Sequence, residues 1–223
     1  MAPKFWRKQI TCPHCEASFE TVKLFSNAVH LEERDIFFRP TYRPPNPLFF
    51  YLTTCPKCYY TALEKDFLEL FLILESESQK QLSQVLLKAV QTFQVNLDEN
   101  RTIDDAILQH SLAVLTYSVK GDAFQQAQLY LKMGWFYIEK ERLEDVKIAY
   151  SKAIKLFGQA FLKQRSPAEA DGVLFFLGAL HIFLNQKKEG FKWLEKLIQE
   201  RRGSNSPYYV AAKKLWEEVR TGL

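Results

Sequence analysis

Four cysteines in two CPxC pairs carry the clearest chemistry in this sequence. The pairs are Cys12 with Cys15 and Cys55 with Cys58, and proline follows the first cysteine of each pair. Two intervening residues let one tight turn direct both sulfur atoms at one metal ion, and two such turns complete a tetrahedral four-thiolate site. Protein sulfur then fills every coordination position, which leaves none for water or substrate. The pattern therefore predicts one structural Zn²⁺ ion bound by Cys12, Cys15, Cys55 and Cys58.

The cysteine pairs leave two alternatives to zinc. A CxxC pair can be a redox dithiol, but thioredoxin-like sites carry one pair beside a βαβ pattern, which we do not find. Four thiolates also accept iron, so the choice between zinc and iron stays open. His14 and His30 could serve a Cys₃His site, but four paired cysteines already satisfy the metal.

The turns themselves depart from the commonest zinc ribbons in two ways. The 39 residues between Cys15 and Cys55 exceed the usual spacing of about 15 to 20 residues, so this insert must be structured. Many such turns also place glycine after the second cysteine because glycine tolerates a positive φ angle. Glu16 and Tyr59 occupy those positions here. We therefore expect backbone strain or a different turn.

The elements that position the cysteines are short strands in a small N-terminal module, residues 1–66. Residues 19–25 and 48–53 are rich in aromatic and β-favouring side chains, which predicts a strand beside each cysteine pair. Residues 39–47 carry four prolines and predict an extended loop rather than a helix or a central strand.

From residue 61 onward, apolar residues recur at helical spacing and glycine and proline are scarce, which predicts an all-α domain over residues 67–223. The fold class is therefore mainly α with a small zinc-binding β-containing module. Helices are predicted near residues 61–75, 79–94, 102–119, 123–140, 143–162, 167–185, 187–200 and 207–221.

The helical region resembles tetratricopeptide repeats, which stack helical hairpins and bind peptides in a groove. The clearest repeat spans residues 127–160 and a weaker one residues 171–204, with Gly134 and Gly178 at the small-residue position. These glycines are 44 residues apart instead of about 34, so the repeat is degenerate. The resemblance implies a protein or peptide partner at five groove positions. These are Leu131, Trp135, Ile138, Phe175 and Ile182. Their helices are apolar nearly all round, so either the same chain or a partner must cover them.

Composition predicts a folded chain without a membrane span. Apolar residues make up 47% of the chain, enough to bury a core. The apolar run at residues 67–74 is interrupted by Glu69 and is far shorter than the roughly 20 residues a membrane span requires. We find no export signal and expect a cytoplasmic protein, where reduced thiols favour metal binding over disulfides. A net charge of +4 favours no particular partner, and the sequence sets no oligomeric state.

The whole arrangement resembles a bacterial family, domain of unknown function 2225, in which CPxC pairs precede a tetratricopeptide-like region. The resemblance covers nearly the full chain. It is carried by the two cysteine pairs, Glu33-Arg34-Asp35, Tyr42, Asn46-Pro47, Tyr60 and Ala62. Tyr59 departs from the glycine usual in that family. The resemblance implies a fold and a zinc site but no activity.

Three functions compete on this sequence. The first is a non-enzymatic adaptor in which zinc folds the module and the helices present a surface to another protein. The second is nucleic-acid binding by the module. Its residues would be Lys4, Arg7, Lys8, Lys57 and the aromatic Trp6 and Tyr59, expected to be exposed.

The third function is catalysis, which we do not expect. The chain contains no phosphate-binding GxxxxGK[ST] motif, no GxSxG or HExxH motif and no dinucleotide fingerprint. Glu32, Glu33 and Asp35 beside Arg34 could form a site, but a surface ion cluster or a buried arginine–carboxylate pair that holds the insert between the cysteine pairs is the simpler interpretation.

Overall fold

A computed structural model describes residues 3–163 and 166–221 of the chain. Within these residues the fold is mainly α, with seven helices and three separate two-stranded sheets, as the sequence predicted. The strands are β1 (Phe5–Thr11), β2 (Ser18–Leu24), β3 (His30–Arg34), β4 (Pro40–Arg43), β5 (Leu52–Thr54) and β6 (Thr61–Leu63). The helices are α1 (Ser76–Thr92), α2 (Ile103–Lys120), α3 (Ala123–Glu139), α4 (Leu143–Phe161), α5 (Pro167–Phe183), α6 (Lys187–Glu200) and α7 (Pro207–Thr221).

The eight predicted helices include one error. The last seven are confirmed, with boundaries within a few residues of those expected. The helix predicted at residues 61–75 is wrong, because Thr61–Leu63 is the strand β6 and residues 64–73 form turns before α1 begins at Ser76. Thr61–Leu63 pairs antiparallel with β5, so its backbone is extended and cannot be helical. Gln79 Nε2 then donates to the carbonyls of Phe71 and Leu74, which ends the turns.

The strand predictions hold in part. β2 confirms the strand expected at residues 19–25, whereas residues 48–53 divide between a 3₁₀ turn, Pro47–Phe49, and β5. The Asn46 side chain accepts a hydrogen bond from the Leu48 N–H and so starts that turn. The proline-rich stretch 39–47 is not wholly a loop, because β4 pairs with β3. Proline is tolerated in β4 since a two-stranded sheet has only edge strands.

The helices α1 and α2 group with the N-terminal strands rather than with the later helices. One compact unit contains the described residues up to 33 together with 41–129, and the other contains 34–40 and the described residues from 130 onward. This grouping differs from the predicted boundary at residues 66 and 67. Its cause is packing within the first unit: Tyr59 lies in a buried cluster with Ala89 of α1 and Leu112 of α2. Tyr117 Oη also donates to Asp66 Oδ2 over 2.6 Å.

The second unit is built on close helix pairs. A Cβ atom on Gly134 would collide with the Tyr150 ring of α4, so only glycine allows this approach of α3 to α4. Between α5 and α6, a Cβ on Gly178 would lie 2.5 Å from Leu194 and a Cβ on Gly190 would lie 2.8 Å from the Gly178 carbonyl. The predicted small-residue positions therefore do lie at helix contacts. Membership of the tetratricopeptide repeats stays a prediction.

Helix α5 is the most buried element of the second unit. Its residues from Asp171 to Leu180 are all buried, which agrees with an apolar sequence that lacks a polar face. Asp171 is neutralised there by Arg201, whose Nε atom donates to its Oδ1. No helix in the described part of the chain has both the length and the apolar character needed to cross a membrane.

Candidate metal centre

Each cysteine pair lies in the turn of a β-hairpin. The first turn joins β1 to β2, which pair from Phe5 with Leu24 to Thr11 with Ser18, and the second joins β5 to β6. The N–H of Glu16 donates to the Cys12 carbonyl, and the N–H of Tyr59 donates to the Cys55 carbonyl, both over 2.9 Å. The N–H of Cys12 donates to the Ala17 carbonyl over 3.0 Å, and the N–H of Cys55 donates to the Tyr60 carbonyl over 2.9 Å. The two turns therefore have equivalent backbone geometry.

A short sequence repeat underlies this equivalence. Thr11-Cys-Pro-His-Cys-Glu-Ala-Ser18 and Thr54-Cys-Pro-Lys-Cys-Tyr-Tyr-Thr61 share the pattern TCPxCxx[ST]. This repeat is the sequence signal that predicts a second hairpin and places β6 in it. Glu16 and Tyr59 have φ angles of 58° and 59°. The expected backbone strain is confirmed, because both residues adopt the left-handed conformation without being glycine.

The four sulfur atoms lie at distances suited to a single metal ion. All four are within 4.8 Å of one another, with 3.7 Å between the sulfurs of Cys12 and Cys58 and 3.6 Å between those of Cys15 and Cys55. Metal–sulfur bonds of about 2.3 Å in a tetrahedron require sulfur–sulfur distances of about 3.8 Å. Cys12 and Cys55 are buried, and all four residues are free thiols rather than disulfides. The cluster could therefore hold one metal ion.

The thiols cannot all ionise without a cation among them. Hydrogen bonds from Cys12 and Cys58 lower the pKa of the Cys55 thiol to about 2. The hydrogen bond to Cys55 raises the pKa of Cys12 to about 12, and hydrogen bonds to Cys12 and Cys55 raise the pKa of Cys58 as well. One thiolate in the cluster thus suppresses ionisation of its neighbours. A bound divalent cation would remove that penalty and release the remaining protons.

Aromatic side chains shield one side of the sulfur cluster. Tyr60 is fully buried against Phe67, and its hydroxyl donates to the Phe67 carbonyl over 3.2 Å. His14 meets the edge of Phe71, and its Nε2 lies 2.9 Å from Ser83 Oγ. Ser83 donates its own proton to the Gln79 carbonyl, so it accepts from His14. His14 therefore packs beside the cluster instead of joining it.

The site extends into a polar layer that fastens the second hairpin. Lys23 is buried, and its Nζ contacts Thr53 Oγ1 at 3.1 Å and Glu64 at 3.2 Å. Burial lowers the pKa of Lys23, while the nearby Glu64 carboxylate opposes that shift. Tyr117 accepts from the Leu63 N–H and donates to Asp66, and burial raises its pKa. These contacts are those expected around a structural metal site, whose ligands need rigid support.

The five predicted partner-binding residues belong to the second unit, whereas the cysteines belong to the first. Leu131, Trp135, Phe175 and Ile182 are buried, and only Ile138 is partly exposed. Phe175, for example, packs within 5.0 Å of the Phe38 ring centroid. The same chain thus covers most of these side chains, and a role for them in partner binding stays a prediction.

The residues considered for nucleic-acid binding are largely engaged within the protein. Arg7 donates to Asp98 and also pairs with Glu99 and Glu20. Lys8 pairs with Glu64. Tyr59, expected to be exposed, is instead 9% exposed and donates to the Phe93 carbonyl. Trp6 is 40% exposed, as expected, and packs beside Phe25.

The acidic group at residues 32–35 forms local ion pairs. Glu32 pairs with Arg43 at 3.3 Å. Asp35 pairs with Arg39 at 3.1 Å, and its Oδ1 accepts from the backbone N–H groups of Phe37 and Arg39. The carboxylate of Asp35 therefore shapes a turn. Glu32 and Asp35 form separate pairs with Arg43 and Arg39 instead of the cluster beside Arg34 that we expected.

Comparison with known proteins places the chain in a bacterial family. A protein of Borreliella burgdorferi described as an uncharacterized protein is 21% identical over 220 residues, which cover 82% of this chain and 79% of that protein. No solved structure gives a significant match. The sequence model of the family described as "Uncharacterized protein conserved in bacteria (DUF2225)" matches residues 5–219. The chain belongs to this family, which is the one that its cysteine pairs and helical region resemble.

Proposed function

We propose that the protein is a non-enzymatic interaction protein whose first unit is folded by one structural zinc ion. The zinc assignment is supported by the four free thiols, their near-tetrahedral spacing and the two matching hairpin turns. Closed four-cysteine sites of this kind most often hold zinc, and their metal contributes folding free energy.

The metal in such a site would have a structural role and no catalytic one. Four cysteine ligands leave no open position at which a metal could bind water or polarise a substrate. The ligands must also stay reduced to bind the metal, which agrees with the cytoplasmic location that we propose for the protein.

Exposed apolar side chains just after the metal module support the proposal of a protein partner. Leu68, Leu72 and Ile73 are 52%, 64% and 69% exposed. Their segment is held in place by Phe67 and Leu70, which are 1% and 2% exposed. Leu68, Leu72 and Ile73 all belong to the turns that residues 64–73 form before α1. Adjacent large apolar side chains held in solvent by a rigid scaffold are typical of a protein interaction surface.

The metal half of the proposal is tested by native mass spectrometry together with absorption spectroscopy of the purified protein. We expect one zinc per chain and no visible absorption. A four-thiolate iron site would give strong visible absorption, and a metal-free protein that cycles between dithiols and disulfides would favour the redox alternative.

The interaction half is tested by the double variant Leu68→Asp/Leu72→Asp. A partner captured from a bacterial lysate would be purified and titrated against the wild-type protein and the variant. We expect saturable binding that the variant weakens about tenfold or more, because burial of a leucine contributes about 1.5 to 3 kcal/mol. Leu143→Asp is the matched control, since Leu143 is 63% exposed on α4. Equal binding by the double variant would contradict the proposed surface.

A further inference from the structure

A cleft in the second unit lies between residues 34–38 and the first turns of α7. Its volume is about 400 Å³, within the range of about 300 to 1,000 Å³ typical of ligand sites. Ile36, Phe38 and Val210 contribute apolar lining, and Arg34, Asp35 and Lys214 contribute charged groups. Val210 is 60% exposed, so its side chain is accessible to a ligand.

The wall formed by residues 34–38 is held rigidly. The Phe38 ring stacks on Tyr208, with 5.0 Å between centroids and an interplanar angle of 26°. Phe38 has a φ angle of 64°, a conformation that a bulky residue keeps only when its surroundings fix it. The Asp35 carboxylate accepts from the N–H groups of Phe37 and Arg39, which closes the turn. The cleft is therefore preformed, which lowers the entropic cost of binding.

The charge that the cleft offers to a ligand is positive. Asp35 is already neutralised by Arg39 at 3.1 Å. Arg34 is exposed and takes part in none of the ion pairs found among residues 3–163 and 166–221. Lys214 lies 3.9 Å from Glu218, and the two side chains are 70% and 40% exposed. Such a long, exposed pair contributes little, so Lys214 remains available to an anionic ligand.

We propose that this cleft binds an acidic peptide segment of a partner protein. One large apolar side chain of the peptide would pack on Ile36, Phe38 and Val210, and carboxylates beside it would meet Arg34 and Lys214. An apolar contact bordered by complementary charges is the usual basis of specific peptide recognition. This inference rests on the proposed interaction function in taking a protein as the ligand, but it concerns residues of the second unit, whereas Leu68 and Leu72 belong to the first.

The test is selection of short random peptides displayed on phage against the full-length, zinc-loaded protein. Selected peptides would be synthesised with a fluorescent label and titrated by anisotropy at low and high salt. We expect Asp and Glu to be enriched around a large apolar residue, and binding to weaken with salt. Both Arg34→Glu/Lys214→Glu and Val210→Asp should reduce affinity about tenfold or more, since they reverse the charge or break the apolar contact. Arg34→Lys, which keeps the charge, should retain most of the affinity.

The matched control is Lys147→Glu/Lys192→Glu, which reverses two lysines that are 61% and 67% exposed on α4 and α6. It should bind the peptides like the wild-type protein, and circular dichroism should show that all variants are folded. The inference is overturned if no peptide is selected, if the peptides have no acidic bias, or if the cleft variants bind them unchanged. It is equally overturned if Val210→Asp abolishes self-association, because a second copy would then occupy the cleft. Each of these results leaves the Leu68→Asp/Leu72→Asp experiment to decide the proposed function independently.

Discussion

The two cysteine turns allow one internally controlled test of the metal module. Glu16 and Tyr59 occupy the same position of the turn and have nearly the same positive φ, 58° and 59°. Their side chains differ in surroundings. Glu16 is exposed, whereas Tyr59 is buried beside Ala89 and Leu112 and donates a hydrogen bond to Phe93. Replacement by glycine should therefore stabilise the protein at one position and destabilise it at the other.

The magnitudes follow from the contributions that each replacement removes. A non-glycine residue in the left-handed conformation is strained by about 1 to 2 kcal/mol, which replacement by glycine relieves. The greater freedom of glycine in the unfolded chain offsets about 0.5 to 1 kcal/mol of this stabilisation. Glu16→Gly should then raise the free energy of unfolding by about 0.5 to 1 kcal/mol. Tyr59→Gly recovers the same strain but loses a buried aromatic ring, about 3 to 5 kcal/mol, and one hydrogen bond of about 1 kcal/mol. Its net effect is a loss of about 3 to 5 kcal/mol.

The assay is urea unfolding monitored by circular dichroism in a buffer of fixed free zinc. The zinc concentration must be held constant because metal binding to the folded state adds to the measured free energy of unfolding. Tyr59→Phe serves as the intermediate control, since it keeps the ring and loses about 1 kcal/mol for the hydrogen bond. If Glu16→Gly destabilised the protein as much as Tyr59→Gly, the strain argument would be refuted, and the glutamate side chain would have a role that its exposure does not suggest.

Three further predictions concern the metal, the extent of the metal-dependent unit and one buried amine. Cys12→Ser and Cys55→Ser should each lose the bound zinc in native mass spectrometry and lower the midpoint of thermal unfolding, whereas full stability without metal would contradict a structural site. Removal of the metal by a chelator should accelerate hydrogen exchange in α1 and α2 together with the hairpins, because these helices pack on the second hairpin. Continued protection of α1 and α2 would instead support the predicted domain boundary near residue 66. Burial lowers the pKa of Lys132 from 10.5 to about 8, so between these values the unfolded chain binds more protons and stability should rise with pH. Lys132→Met should remove that rise and add up to about 3 kcal/mol at pH 7 in urea titrations, at about 1.4 kcal/mol per unit of the pKa change. An unchanged pH profile would show that the amine is solvated.

Local sequence rules predicted the features that depend on nearby residues. The spacing of each CxxC pair determines one turn, and the sulfur cluster formed as that spacing requires. Helix boundaries such as Ala123–Glu139, against a prediction of 123–140, follow from Gly121-Asp122 before the helix and from apolar periodicity within it. These signals act over a few residues, which is why they can be read from one sequence.

Several errors arose where distant residues decide the outcome. The helix predicted at residues 61–75 is absent at its start because Thr61–Leu63 forms backbone hydrogen bonds with β5 instead. Tyr59 was expected to be exposed, yet helices about 30 and 50 positions away bury it. Residues 34–40 group with the second unit for the same reason, since the aromatic partners of Phe38 lie in α5 and α7.

Tyr59 connects the metal site to the helices that follow it. Glycine at this position would relieve backbone strain but would contribute no side chain, so the turn would be independent of α1 and α2. Tyrosine accepts a strain of about 1 to 2 kcal/mol and in return places a ring between the two helices and a hydroxyl on the Phe93 carbonyl at the end of α1. A metal ion bound by Cys55 and Cys58 would fix this turn and, with it, that ring. The metal-dependent structure should therefore extend through α2, beyond the hairpins that supply its ligands.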